Sequence, residues 1–133
     1  FGGGCGIAAA ADIVIAAEDA KFAFSEAKLG LVPATISPFV KAKVGSASRE
    51  LFVTAQVFSA EQAKSIGLVN RVVIREELMS TVEATLQAIG ANGPAAVRIS
   101  KRLAVEPAKS GEEAAALLAK VRAGEEAKEG ISA

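Results

Sequence analysis

The stretch FGGGCGIAAAAD at residues 1–12 decides the fold, because a glycine run passes directly into an alanine-rich segment. The alanines predict a helix over residues 4–11. The glycines at its start have no Cβ, so backbone N–H groups stay uncovered with the positive end of the helix dipole behind them. Such a turn stabilises negative charge, either on a phosphate or on an oxygen that becomes an oxyanion during a reaction.

Composition limits the classes of function that the chain can serve. Its 133 residues, 51% of them hydrophobic, suffice for one ordinary domain. Fifteen basic and fifteen acidic residues give a net charge of zero, which argues against a nucleic-acid or anionic-membrane partner. There is no leader-like pattern and no uncharged apolar stretch of about 18 residues. We therefore expect a cytoplasmic protein.

The residue types that are absent narrow the chemistry further. Without any histidine, the chain cannot build a Ser-His-Asp triad, a Cys-His pair or a histidine-ligated zinc site, and no metal site is predicted. The single cysteine, Cys5, cannot form an internal disulfide, and its apolar surroundings indicate a small buried side chain in a reducing compartment. Acid–base catalysis must therefore fall to carboxylates.

Glu26 is the candidate catalytic carboxylate. It follows the apolar segment 22–24, whose side chains would desolvate it, as a general acid or base working near neutral pH requires. The alternative is a solvent-facing glutamate in a first helical turn, which is a common position for this residue. The residues alone favour neither interpretation.

The first half of the chain has the pattern of short strands followed by helices. Apolar runs bounded by turn residues predict strands at residues 13–17 and 21–24. Ser37 is expected to cap a helix that has Pro38 at its first position, and Gly45 is expected to end it.

Helices dominate the middle of the chain. Ser46 is placed to cap the helix that follows Gly45. Ser59 and Gln62 have the spacing of a capping box, and the short helix they start should end at Gly67, before a strand over residues 68–74.

Amphipathic helices are predicted for the rest of the chain. Apolar residues repeat at helical spacing over residues 78–89. Pro94 restarts a helix that runs to about residue 105, and Ser110 caps a final helix that ends near Gly130. The apolar faces of these helices need a surface to pack on.

The order of these motifs resembles the crotonase (enoyl-CoA hydratase/isomerase) superfamily. The matching blocks, in chain order, are GGGC at 2–5, DI at 12–13, AKF at 20–22, E at 26, LGLVP at 29–33, FSAEQA at 58–63 and GLVN at 67–70. The segment GLVPATISP at residues 30–38 is most similar to the methylglutaconyl-CoA hydratase-like branch.

The resemblance implies an α/β fold and only part of a domain. Residues 1–74 would be the C-terminal part of a ββα spiral core, and residues 75–133 a helical trimerisation region. In complete family members a long segment precedes the glycine turn and supplies the central sheet and one of two oxyanion donors. We therefore expect this chain to be a fragment of such a domain, which would assemble as a homotrimer or hexamer.

The resemblance also implies an activity and a set of site residues. The expected function is that of an acyl-CoA lyase or hydratase, which acts on an enoyl-CoA thioester through an enolate. Glu26 matches the catalytic glutamate that exchanges a proton with the acyl chain, and the N–H of Gly3 matches an oxyanion donor. Substrate-binding positions are assigned to Gly4, Gly6, Pro33 and Thr35. Coenzyme A is part of the substrate, and no separate cofactor is implied.

One departure from the family pattern leaves alternatives open. Typical hydratases carry a second catalytic glutamate directly after the GGGC turn, where this chain has Gly6. A single carboxylate, Glu26, would suffice for an enoyl-CoA isomerase. A further alternative is a non-catalytic oligomerisation fragment. If the second carboxylate is what the site lacks, Gly6→Glu should raise hydration, provided that the pocket has room.

A dinucleotide-binding motif is the competing interpretation of the glycine run. Residues 4–9 satisfy a G-x-G-x-x-A pattern, and Asp19 or Glu26 lies at roughly the position of the acidic residue. A lone motif of this kind is weak evidence, because it should follow a strand and open a strand–helix–strand unit. The sequence shows no such unit.

Overall fold

The computed structural model describes residues 1–133 and divides them into two compact units, Phe1–Val82 and Glu83–Ala133. The helices are α1 (Gly3–Ala10), α2 (Ser37–Val44), α3 (Ala47–Thr54), α4 (Ala60–Ser65), α5 (Leu78–Gly90), α6 (Pro94–Val105), α7 (Gly111–Arg122) and α8 (Glu125–Ser132). The strands are β1 (Ile15–Ala17), β2 (Lys21–Phe22), β3 (Phe58–Ser59) and β4 (Arg71–Val73), and 3₁₀ turns cover Glu26–Leu29 and Arg75–Glu77. The division falls inside α5, whereas the sequence-based boundary lies at residue 74.

Two small sheets organise the first unit. Strands β1 and β4 pair in parallel, with Ala16 opposite Val72, and β2 pairs with β3 in antiparallel fashion, with Phe22 opposite Phe58. A parallel pair needs a long connection, which here contains most of the unit's helices. The mixed α/β class predicted from the sequence is therefore confirmed.

A cluster of aromatic rings lies at the centre of the first unit. Phe24 is 1% exposed, and its ring meets Phe52 edge to face at 5.2 Å between centroids. Phe58 lies 5.9 Å from Phe24 and stacks on Phe22 at 5.7 Å. Helix α1 adds the buried side chain of Cys5 to the same core. The segment that leads to Glu26 is thus fixed from both sides by apolar packing.

The capping box at the start of α4 is confirmed. The Gln62 backbone N–H donates to Ser59 Oγ at 3.2 Å, and the Ser59 N–H donates to Gln62 Oε1 at 2.8 Å. The predicted ends of α2 and α4 are also confirmed, because Gly45 and Gly67 adopt positive φ values of 55° and 88°. These local rules need only neighbouring residues, so the sequence suffices to apply them.

Two other predicted caps are wrong. Helix α2 already includes Ser37, whose hydroxyl donates to the Ala34 carbonyl at 2.9 Å. Ser46 occupies the cap position of α3 but makes no side-chain capping bond, while Ser48 donates back to the Gly45 carbonyl at 2.7 Å. The chain enters both helices through helical backbone, whereas a capping side chain works from an extended conformation.

The strand predicted over residues 68–74 is shorter in the structure, where only β4 forms. Asn70 precedes the ladder, and its side-chain oxygen accepts the Val14 N–H at 2.8 Å. Leu68 is fully buried without strand pairing. The apolar run over residues 68–74 therefore indicated burial correctly, but the strand predicted from it was too long.

The second unit is helical, and its last predicted helix is in fact two. Pro94 opens α6 as expected, and the Ser110 hydroxyl accepts the Glu113 N–H at 3.1 Å to cap α7. The predicted continuation to Gly130 is interrupted at Gly124, whose extended backbone starts α8. Helical periodicity does not reveal such a break, because the charged and apolar faces continue across it.

A carboxylate clamp joins α8 to the start of α6. Glu126 accepts the N–H groups of Ala95 and Ala96 at 3.0 and 2.7 Å. A Cβ at Gly93 would overlap the Glu126 carboxylate, so the close approach requires glycine. The two backbone hydrogen bonds, helped by the charge of Arg98, hold the pKa of Glu126 below its usual value.

We expect the clamp to weaken in acid. A carboxyl group with a lowered folded-state pKa contributes stability that is present above its unfolded-state pKa of about 4.5 and is lost as the pH falls through the folded-state value. Glu126→Gln should therefore lower the thermal midpoint at pH 7 and flatten its dependence on pH below 5. Glu129→Gln, on the same helix, is the control. Equal pH profiles for wild type and Glu126→Gln would contradict the clamp.

None of the eight helices combines the length and the apolarity that a membrane span requires.

Candidate active site

The start of α1 is anchored to the chain segment that leads to Glu26. Gly2 caps the helix with a φ of +50°, which favours glycine, and its N–H donates to the Ala23 carbonyl at 3.0 Å. The Cys5 thiol points at the same carbonyl at 3.4 Å. The glycine turn and the segment before Glu26 are therefore held side by side.

Glu26 lies at the point where this segment turns. It begins the 3₁₀ turn that follows the buried residues Ala23 and Phe24, and its carbonyl accepts the Leu31 N–H at 3.0 Å to close the loop. Its side chain is half-buried rather than solvent-facing. The apolar setting expected from the sequence is thus present.

The carboxylate of Glu26 faces the glycine turn with one oxygen unpaired. Oε2 is buried and has no hydrogen-bond partner in the chain, and Oε1 would lie 3.6 Å from a Cβ at Gly2. Buried carboxylate oxygens are nearly always hydrogen-bonded, because an unmade bond costs about 1–3 kcal/mol. An unpaired oxygen beside a helix start is therefore well placed to exchange a proton with a bound molecule.

Gly3 presents an open backbone donor. As the first residue of α1, its N–H has no acceptor within the chain, and a Cβ there would meet nothing within 4 Å. The neighbouring Gly4 differs, because its N–H donates to the Phe1 carbonyl at 3.0 Å. An open N–H at Gly3 is compatible with the oxyanion-donor role that the family resemblance implies. The N–H of Gly4 is already engaged, so Gly4 offers only an exposed surface.

Gly6 is enclosed instead of open. It is buried, its N–H donates to the Gly2 carbonyl at 3.2 Å, and a Cβ at this position would overlap the Cγ2 methyl of Ile36. The hypothesis that Gly6→Glu would raise hydration required room for a side chain, and the structure offers none. That hypothesis is corrected here, since Ile36 already fills the space.

The remaining assigned substrate positions lie on the loop between Glu26 and α2. Pro33 is half-buried and its carbonyl accepts the Ser37 N–H at 3.0 Å, while Thr35 is exposed. The loop is held against α1 by Ile36, the residue that sequence reasoning missed. One signal in the sequence could have identified Ile36. It is an apolar residue between Thr35 and Ser37, in a loop next to a helix that contains a glycine. The substrate roles of Pro33 and Thr35 stay predictions.

The dinucleotide alternative does not fit the geometry. Asp19, one of its two acidic candidates, is engaged by Arg75 through hydrogen bonds as short as 2.8 Å, and this pairing holds the Asp19 pKa below its usual value. The other candidate, Glu26, faces the glycine turn itself. No group of three or more acidic or cysteine side chains lies close enough to bind a metal ion.

Comparison with known proteins places the chain in a family. Residues 1–132 match the sequence profile of the family described as enoyl-CoA hydratase/isomerase. Carnitinyl-CoA dehydratase of Salmonella typhi is 38% identical over 105 residues, which make up 77% of this chain and 40% of that protein.

Solved structures agree. Enoyl-CoA hydratase of Mycobacterium smegmatis superposes on this chain with a TM-score of 0.89 at 34% sequence identity. The superposition includes 98% of this chain and 53% of the Mycobacterium chain. The structure of an enoyl-CoA hydratase/isomerase from Legionella pneumophila gives a TM-score of 0.94 at 42% sequence identity. That superposition includes 99% of this chain and 54% of the Legionella chain. The chain thus spans about half the length of the solved relatives and less of the Salmonella protein. Profile, identity and fold together show that the chain belongs to the enoyl-CoA hydratase/isomerase family.

Proposed function

We propose that the full-length protein containing this chain acts on an enoyl-CoA thioester as a hydratase, through an oxyanion-stabilised enolate. The observation that carries the proposal is the buried, unpaired Glu26 Oε2, on a carboxylate that faces the glycine turn. The names of the Salmonella and Mycobacterium relatives, a dehydratase and a hydratase of CoA thioesters, support the choice of substrate class.

In this proposal the Gly3 N–H acts on the thioester oxygen, and Glu26 acts on the acyl chain. When water adds to the β-carbon of the enoyl group, an electron pair moves to the thioester oxygen, which becomes an oxyanion. The Gly3 N–H and the positive end of α1 stabilise that charge. As the water oxygen bonds to the β-carbon, the water loses one proton to the Glu26 carboxylate. Glu26 gives a proton to the α-carbon as the thioester carbonyl re-forms, so the carboxylate is restored, and the reverse steps would remove water.

A second candidate, an enoyl-CoA isomerase, is favoured by one specific observation. The Ile36 side chain fills the space beside Gly6, where a second carboxylate would have to lie. Glu26 is therefore the one carboxylate at the glycine turn. One carboxylate can take a proton from one carbon and return it to another. The same enolate and the same oxyanion contact would serve both reactions.

Assembly and location are part of the proposal. Exposed apolar side chains occur throughout the second unit, and they include Leu86, Val105, Leu118 and Ile131. Together with the family resemblance they support a homotrimer or a hexamer made of two trimers. We propose a cytoplasmic location, which the single cysteine supports, and coenzyme A enters as part of the substrate.

The test is product analysis with the full-length protein in D2O, with a four-carbon 2-enoyl-CoA and its 3-enoyl isomer supplied in separate reactions. A hydratase yields the 3-hydroxyacyl-CoA with deuterium at C2. An isomerase converts a 3-enoyl-CoA into the 2-enoyl-CoA and leaves that product unhydrated. If no thioester is consumed and no deuterium enters C2, the catalytic proposal is wrong and the oligomerisation fragment is the better interpretation.

A further inference from the structure

The faces of α1 carry an arrangement that the roles assigned so far do not use. Gly2 is the N-cap of α1 and lies one turn before Gly6, whose N–H donates to the Gly2 carbonyl at 3.2 Å. The Glu26 carboxylate packs against Gly2, and the Ile36 side chain packs against Gly6. Two different elements therefore place a carboxylate at the N-cap of α1 and an apolar side chain one turn further along the same helix.

The distance between these two contacts is similar to the length of a short acyl group. Four residues of α-helix advance about 6 Å, which is roughly four carbon–carbon bonds along an extended chain. Ile36 is only half-buried, although it packs on the main core of the first unit. Part of its surface thus stays exposed.

The fit between Gly6 and Ile36 is tight. A Cβ at position 6 would overlap Ile36 Cγ2 and would lie 3.0 Å from Ile36 Cβ, so Ile36 occupies all of the room that a side chain at position 6 would need. Residue 6 and residue 36 therefore form a pair in which the volume of one limits the volume of the other. Interiors packed to this density respond to changes of a single methyl group.

We infer that Ile36 is a specificity-determining residue, which forms the apolar wall beside the reacting carbons and limits branching of the acyl group there. The inference rests on the proposed function, since it needs a thioester bound at Glu26. Ile36 takes no part in proton transfer. It acts by excluding atoms from the volume next to Gly6.

The measurement is a discrimination ratio in the full-length protein. We compare kcat/KM for a four-carbon 2-enoyl-CoA and for its 3-methyl-branched counterpart, with consumption of the conjugated thioester as the readout. Ile36→Leu removes the Cγ2 methyl that fills the space beside Gly6 and keeps nearly the same side-chain volume, and Ile36→Ala removes more of the wall. One methylene in an apolar pocket changes discrimination by about 10- to 200-fold, so each variant should raise the branched-to-unbranched ratio at least about tenfold.

Two further variants separate a specificity role from a purely structural one. Ile66→Ala is the matched control, because Ile66 is likewise a half-buried isoleucine packed on the same core, at the end of α4. It should lower stability and leave the ratio unchanged. In the double variant Gly6→Ala/Ile36→Ala, the new methyl at position 6 refills part of the space, so the ratio should return toward the wild-type value.

The outcomes distinguish this inference from the proposed function. If wild type consumes neither thioester, the proposed function fails. If wild type is active and both Ile36→Leu and Ile36→Ala keep the ratio within twofold of wild type, the function stands and the role of Ile36 is wrong. Should Ile36→Ala fail to fold, the conservative Ile36→Leu decides the question by itself.

Discussion

Glu26→Gln is expected to reduce turnover of an enoyl-CoA by about 10²- to 10⁴-fold, the usual cost of losing a general acid or base. Glutamine has nearly the same shape as glutamate, so the 3₁₀ turn and the contact with Gly2 should persist. What the variant loses is a carboxylate oxygen, the buried and unpaired Oε2, at which a proton could be taken up and given back. The loss should therefore appear in kcat with little change in the affinity for the thioester.

Glu18→Gln is the matched control for this prediction. Glu18 is an exposed glutamate eight residues earlier, at the end of β1, and only its backbone N–H is engaged, by the Val73 carbonyl at 2.8 Å. Its variant should keep wild-type turnover. Steady-state rates together with the dissociation constant of a non-reactive saturated acyl-CoA make the measurement. Turnover within threefold of wild type in Glu26→Gln would remove Glu26 from the catalytic role.

Phe24→Ala is expected to have the largest effect on stability. The ring is 1% exposed and touches both Phe52 and Phe58, so its removal leaves a cavity that the surrounding side chains cannot fill. Buried Phe→Ala changes cost about 3–5 kcal/mol. Phe24 also precedes Glu26 by two residues, so any folded variant should show impaired turnover as well as a lower thermal midpoint.

Phe39→Ala serves as the control for the loss of a ring. Phe39 lies in α2 and is 50% exposed, so less apolar surface leaves water when it folds. Chemical denaturation of the two variants at equal protein concentration gives the comparison. A smaller destabilisation in Phe24→Ala than in Phe39→Ala would contradict the placement of Phe24 at the centre of the core.

The sequence predicted the elements that depend on neighbouring residues. The capping box at Ser59, the glycine ends at Gly45 and Gly67 and the proline start of α6 all follow from local hydrogen bonding and backbone preference. The sequence failed where a local signal was insufficient. The two serine caps of α2 and α3 depend on how the chain enters each helix, and the interruption at Gly124 lies inside an unbroken helical pattern.

The sequence by itself predicted the family and the α/β class, and both are confirmed. It also singled out Glu26 and Gly3 by residue type and by their places in the family's motifs, and their roles stay predictions. Only the tertiary structure decided what surrounds them. The Glu26 carboxylate, of which Oε2 is unpaired, faces a glycine turn 24 residues earlier, and Ile36 closes the space beside Gly6 from 30 residues away. These contacts join distant parts of the chain. Their distances follow from how α1, the Glu26 turn and α2 pack, which no pattern of neighbouring residues encodes.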